Sequence, residues 1–301
     1  MCKIAAIVDA SNIVLNQKVI SAFQRAVTKT DQHGFGWSVS GSVGTKVKLY
    51  GERTSAPDRF KPLMKPKKRP NGLVEAWHDS FGDSKAILNP LSAMFHGRFS
   101  TNTRSLPNTH PFVSDDLSLS LIHNGVVTDA EGAVPEMELR TDNDSEILLR
   151  LWEKGGVADI ERNVGGYYAI AALNTAGELH IVRDDQARLH ISWVRAIKSW
   201  VIATTPEIIE SACKELGWKH DLPDPISENT YAVFKGGAIQ SSRLIEPRPK
   251  PATMSDQAKF ALGSKRYPMS AVTEADWNKY AAYDDADIPS YRPAKNIGYG
   301  Y

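Results

Sequence analysis

Cysteine is scarce in this chain: among 301 residues only Cys2 and Cys213 occur. Two thiols so far apart do not make a disulfide framework, and they fit a reducing, cytoplasmic compartment. Neither sign of charge dominates, with 36 Lys and Arg against 35 Asp and Glu. No overall field therefore argues for nucleic acid or an anionic membrane as a partner. No apolar run reaches the roughly 18 residues of a membrane span. The opening MCKIAAIVD has neither the basic region nor the small-residue cleavage site of a secretory signal. Internal repeats are absent, as is any Gly-x-x-x-x-Gly-Lys-Ser/Thr phosphate loop. No metal and no cofactor is expected.

What is present is a succession of short strand and helix signals. Lys3 to Val8 is a nearly continuous apolar run, suited to a strand buried on both faces and placing Cys2 at a sheet edge. Val19, Ile20, Phe23, Ala26 and Val27 recur at helical spacing, and strand-like runs follow at Gly36 to Ser40 and Lys46 to Gly51. Ala56 to Gly72 is Pro- and Lys-rich without a period and reads as an exposed loop; its Lys61, Lys65, Lys67, Lys68 and Arg69 read as solvated surface. Strands are expected at Ser92 to Phe99 and at Leu117 to His123, the latter ending in His-Asn-Gly. An Asp/Asn cluster precedes a helix from Glu146 to Trp152, which puts Asp144 at or near its N-terminus. Strands then follow at Tyr167 to Leu173, Glu178 to Arg183, Ile191 to Val194 and Trp200 to Thr204. A helix opens at Thr205-Pro206 and stops at Gly217, before two last strands at Tyr231 to Lys235 and Ala238 to Leu244. Many strands with helices grouped between them predict an α+β fold of two packed, mainly antiparallel sheets covered by helices. Residues 1–246 form this compact domain. Residues 247–301 open with PRPKP, hold six of the ten tyrosines and have few aliphatic clusters, so they read as an extension.

Several polar residues stand where the pattern expects apolar ones. A Cys directly after Met1 gains chemical interest if Met1 is removed, because thiol and α-amine then share one residue and the amine can act as base for its own thiol. His96-Gly97-Arg98-Phe99-Ser100-Thr101 ends one strand, and Asn108-Thr109-His110-Pro111-Phe112 follows. His123-Asn124-Gly125 ends another strand, and Thr141-Asp142-Asn143-Asp144-Ser145-Glu146 opens a helix. Taken singly, Asn-Gly is a turn, Arg98 a surface charge, Asp144 a cap and Cys213 a small core residue. In this order and spacing, with Gly34-Phe35-Gly36-Trp37 between the first two elements, they resemble the glutaminase domain of class II glutamine amidotransferases, which are N-terminal-nucleophile hydrolases.

The resemblance implies a four-layer αββα sandwich and a division of labour. Cys2 would attack the side-chain carbonyl of glutamine, and the Asn124 amide and Gly125 backbone N–H would meet the oxyanion. Arg98 would hold the substrate α-carboxylate and Asp144 its α-ammonium, with Thr101 in the segment that closes over the substrate. Complete enzymes of this family carry an acceptor domain that some 55 tail residues cannot form, so the chain looks like the stand-alone members. Ammonia would then pass to a synthetase on a separate subunit. Two further readings stay open: a plain amidohydrolase of another γ-glutamyl compound, and a non-catalytic binding or assembly protein that retains the fold.

Overall fold

A computed structural model of the chain describes residues 2–13, 15–29, 33–43, 46–54, 86–87, 90–100, 107–128, 130 and 138–246. Thr101, the Ala56 to Gly72 loop with its basic residues, and the extension from 247 lie outside them.

Fifteen strands and four helices are found among the described residues. The chain begins with β1 (Lys3–Ile7), β2 (Leu15–Asn16), α1 (Gln17–Val27), β3 (Gly34–Val43), β4 (Lys46–Thr54), β5 (Ala86–Ile87) and β6 (Pro90–Arg98). Next come β7 (Phe112–Val113), β8 (Leu119–Thr128), α2 (Ser145–Gly155), α3 (Val157–Asn163), β9 (Gly165–Asn174), β10 (Leu179–Arg183) and β11 (His190–Val194). The last elements are β12 (Ser199–Ala203), α4 (Pro206–Leu216), β13 (Asp224–Pro225), β14 (Thr230–Lys235) and β15 (Ala238–Leu244). A seven-stranded sheet has the order β13-β11-β12-β1-β6-β3-β4, and a six-stranded sheet the order β15-β14-β10-β9-β8-β7. Every pairing in both is antiparallel.

Strand alternation explains the layers. In β1, Ala5 and Ile7 face α1 and α4, joining a cluster with Phe23, Phe95, Ile209 and Cys213. Ile4 and Ala6 face the other way and pack with Met94, Ile122, Ala171 and Ile181 between the sheets. The Phe23 and Phe95 rings stack at 4.4 Å, fixing α1 on the outer face of the seven-stranded sheet. Helix α2 covers β7 and β8 of the other sheet. The result is the four-layer sandwich expected from the sequence.

Local chemistry sets the helix ends. The Asn16 side chain accepts from the N–H groups of Lys18 and Val19 to start α1, and Gly217 ends α4 in the left-handed conformation at φ 71°. Two expectations need correction. Helix α2 runs through Gly155, and Gly156 at φ 67° turns the chain into a second helix, α3, that the sequence pattern does not announce. With seven residues and only Val157, Asp159 and Ile160 buried, α3 is too short to show a period. Strand β8 does not end at His-Asn-Gly either; it continues to Thr128, so Asn124 and Gly125 lie within a strand and not in a turn.

Candidate active site

The site forms where the start of β1, the end of β6 and the middle of β8 meet the start of α2. Strand β1 is held on both sides: Lys3 pairs with Gly97 of β6, and Ala5 with Ala203 of β12. Thr204 adds a clamp, its hydroxyl accepting from the Ile4 N–H at 3.3 Å while its own N–H donates to the Ile4 carbonyl at 3.1 Å. Cys2 is thereby fixed beside the end of β6. Its thiol lies 3.6 Å from the Phe99 carbonyl oxygen. Part of its surface stays accessible, yet burial is the largest influence on it and pushes the thiol above its ordinary range, with Asp144 acting the same way and Arg98 against both. At neutral pH Cys2 thus rests as a thiol.

Arg98 is not the surface charge that an isolated strand Arg would be, since it is only 2% exposed. Burial lowers its pKa, while Asp142 and Asp144, and Cys2 when it ionises, counter that effect. Asp144 is the N-cap residue of α2, but its carboxylate makes no capping bond. It reaches across to β8, where Oδ2 accepts from the Val127 N–H at 2.9 Å and Oδ1 accepts from the Ser145 hydroxyl at 3.3 Å. Asn143 takes over the local turn, accepting the Ser145 N–H at 2.9 Å.

Asn124 shares the parity of Ile122, which packs between the sheets, so its amide points into the same layer. It is 5% exposed, and its Oδ1 is buried without a hydrogen-bond partner among the described residues, an uncommon condition for a buried amide. Gly125 has φ 155°, and a Cβ there would sit 2.0 Å from the Tyr167 carbonyl oxygen. Only glycine fits this position. The Val127 N–H leaves β8 toward Asp144, and the His123 carbonyl leaves it toward His96. By two-residue alternation, the Gly125 N–H faces that same edge, away from β9.

Three histidines, all nearly fully buried, back the site. His96 Nε2 lies 3.0 Å from the His123 carbonyl oxygen, joining the two sheets, and His123 Nδ1 lies 2.9 Å from the Ser145 hydroxyl. The His110 ring lies against His96, centroids 3.9 Å apart and tilted by 30°. Gly36 makes room for this segment, because a Cβ there would lie 1.9 Å from the His110 carbonyl oxygen. Burial holds His96 down to about 3, His110 well below the ordinary 6.5 and His123 below it too. None is poised as a base for Cys2.

These shifts set a pH dependence of stability. A histidine with a depressed folded-state pKa costs nothing above 6.5, where folded and unfolded chains are both neutral. As pH falls from 6.5 toward about 3, the unfolded chain takes up protons that the folded His96 does not. Each such histidine then removes up to about 1.4 kcal/mol per pH unit. The denaturation midpoint should fall between pH 6.5 and 4, and His110→Leu, if folded, should make the fall shallower. Parallel slopes for the two proteins in a pH series of urea melts would contradict this.

Of the residues singled out from the sequence, Cys2, Arg98 and Asp144 lie within electrostatic reach of one another, Asn124 and Gly125 lie on β8, the strand whose Val127 N–H Asp144 accepts, and Thr101 is outside the described residues. Sequence reasoning assigned no role to three others. Asp142 contributes to the field at Arg98 and is hydrogen-bonded by the Asn108 amide. Asn108 also accepts from the Asn143 amide through its carbonyl at 2.9 Å. Thr204 secures β1 from a partner 200 residues away, a distance no local motif spans. Among the described residues, no group of three or more His, Cys, Asp or Glu is placed to hold a metal ion, and no helix is long and apolar enough to cross a membrane.

Comparison with known proteins bears on the family and the fold. Residues 96–211 match the family model of the glutamine amidotransferase domain. Two solved structures share the fold. One, described as the allosteric regulatory enzyme of purine biosynthesis, matches with TM-score 0.55 at 15% identity, over 82% of this chain and 50% of that one. The other is the glutamine phosphoribosylpyrophosphate amidotransferase from B. subtilis in complex with ADP and GMP, with TM-score 0.56 at 16% identity and the same two coverages. The chain therefore spans half the length of each. No curated protein matches the sequence significantly.

Proposed function

We propose that this domain, which matches the glutamine amidotransferase family model over residues 96–211, is an N-terminal-nucleophile hydrolase of the class II type that cleaves the side-chain amide of glutamine with Cys2 as nucleophile. The observation that carries the reading is the convergence of Cys2, Arg98 and Asp144, each within the electrostatic reach of the others. A cation and an anion beside one nucleophile suit an α-amino acid with both charged ends free.

The thiol raised by burial needs a base, and its described hydrogen bond goes to a carbonyl oxygen, not to a histidine. With Met1 removed, the Cys2 α-amine would supply that base, whose ordinary pKa is about 7.7 to 8.0. The thiolate attacks the amide carbon, and the Asn124 amide and Gly125 N–H receive the oxyanion. The α-amine then delivers the proton to departing ammonia and later activates the water that hydrolyses the γ-glutamyl thioester. Arg98 pairs with the α-carboxylate and Asp144 with the α-ammonium. Thr101 belongs to the segment after Arg98 assigned to close over the substrate. Ammonia release by the domain alone, with transfer to a separate synthetase subunit, is part of the same proposal, as is the division at residue 246.

The reading is tested on purified protein of known intact mass. Protein lacking Met1 should release ammonia from glutamine, and full activity in protein that retains Met1 would overturn the α-amine mechanism. Arg98→Lys should raise KM for glutamine about 10- to 100-fold with kcat largely kept, because a point charge replaces a two-pronged donor to a carboxylate. An unchanged kcat/KM would mean that the substrate does not bind in this orientation.

A further inference from the structure

We propose that Glu146 is a positioning residue, the anchor that holds the Asp144 carboxylate where it meets a substrate α-ammonium; the inference rests on the function proposed above. Glu146 lies in the first turn of α2, yet its side chain is 0% exposed. A carboxylate taken out of water must be paired at both oxygens or it destabilises the fold. Both are. Oε1 accepts from Arg140 Nε at 2.8 Å, with Arg150 at 3.8 Å. Oε2 accepts from the Arg140 N–H at 3.0 Å, the Thr141 N–H at 2.8 Å and the Thr141 hydroxyl at 2.8 Å.

All the donors but Arg150 come from one short turn. That turn runs straight into Asp142, Asn143 and Asp144, with the Thr141 hydroxyl also accepting from the Asn143 N–H at 3.3 Å. Arg140 ties the same turn to β7 by donating to the Val113 carbonyl at 2.8 Å and to Asp115 at 2.9 Å. Glu146 thus pulls the turn back over its own helix. With the turn fixed, the Asp144 carboxylate is presented to the Val127 N–H and the edge of β8, not folded onto the helix end as a cap. A carboxylate without this anchor would be free to cap α2 instead, the ordinary preference of Asp at that position.

An anchor for the ammonium-binding group affects only substrates that carry the ammonium, which separates positioning from general support of the fold. The experiment compares glutamine with glutaramate, the same molecule without its α-ammonium, in wild type and Glu146→Gln. The substituted amide presents N–H to a nest of donors and should release the turn. With glutamine, Glu146→Gln should lower kcat/KM at least about tenfold, through KM. With glutaramate the two proteins should agree within about twofold. Thr141→Val, which removes one of the Oε2 bonds, should move in the same direction by less, and it carries the test should Glu146→Gln not fold. Equal penalties on both substrates, or an unchanged KM for glutamine, would overturn the positioning role. A wild-type protein, mature at Cys2, that fails to hydrolyse glutamine would instead overturn the function on which the inference rests.

Discussion

Cys2→Ala should release no measurable ammonia from glutamine while melting close to wild type. The two halves of this expectation have different physical bases. Loss of the thiol removes the nucleophile proposed for the attack, and the neighbouring Ser145 hydroxyl, already engaged with His123 and Asp144, is an alcohol far harder to ionise than a thiol. The fold should be indifferent, because the Sγ contributes one long contact to the Phe99 carbonyl and β1 is held by its ladders and by Thr204. Cys2→Ser should leave at most a trace, since an alcohol is far harder to ionise than a thiol. Coupled detection of glutamate and ammonia, beside a thermal melt, reads both halves. Ammonia release at wild-type rates by Cys2→Ala would place the chemistry elsewhere.

Asn124→Ala should lower kcat for glutamine about 10²- to 10³-fold with KM little changed, the signature of a donor that matters only when negative charge develops. Its side chain enters the layer between the sheets, and the buried Oδ1 has no partner among the described residues, so truncation breaks no hydrogen bond of that atom to the rest of the fold. Gly125→Ala is a different lesion. The added methyl would meet the Tyr167 carbonyl oxygen at 2.0 Å on a backbone at φ 155°, so β8 must shift against β9 and carry the Gly125 N–H with it. Activity and stability should fall together there, whereas in Asn124→Ala activity alone should fall. Rates within a few-fold of wild type for Asn124→Ala would remove the amide from the reaction.

Much of this site can be read from the chain because its residues sit at element ends with distinct local signatures: a Cys before an apolar strand, an Arg closing another, an Asp opening a helix. The packing that gives them meaning is not local. An Asn-Gly pair is a turn signal on any statistical reading, and only the pairing of β8 with β9 through Thr128 shows that the strand continues and needs a glycine. Arg98 reads as a surface charge until the start of α2 is folded against it. Glu146 reads as an acidic residue favourable to a helix N-terminus; its burial follows from the return of the Arg140 turn, which composition does not encode. Helix α3 escaped notice because two apolar residues three apart do not define a period. The order of the longer strands and of α1, α2 and α4 was legible because β1, α1 and α4 have apolar spacing and caps that agree with one another.

Cys2 immediately precedes β1 and Arg98 closes β6, both strands of the seven-stranded sheet, whereas Asn124 and Gly125 lie in β8 of the six-stranded one. On the proposed mechanism the gap between these groups is an inter-sheet spacing, set by the thickness of the apolar layer formed by Ile4, Met94, Ile122 and their neighbours. The His96 ring, bonded to the His123 carbonyl one residue before Asn124, acts as a gauge block in that layer. Tolerances at the site are thus those of two plates clamped at a fixed separation, and a methylene added or lost deep between them becomes a displacement of the Cys2 thiol relative to the Asn124 amide at the rim.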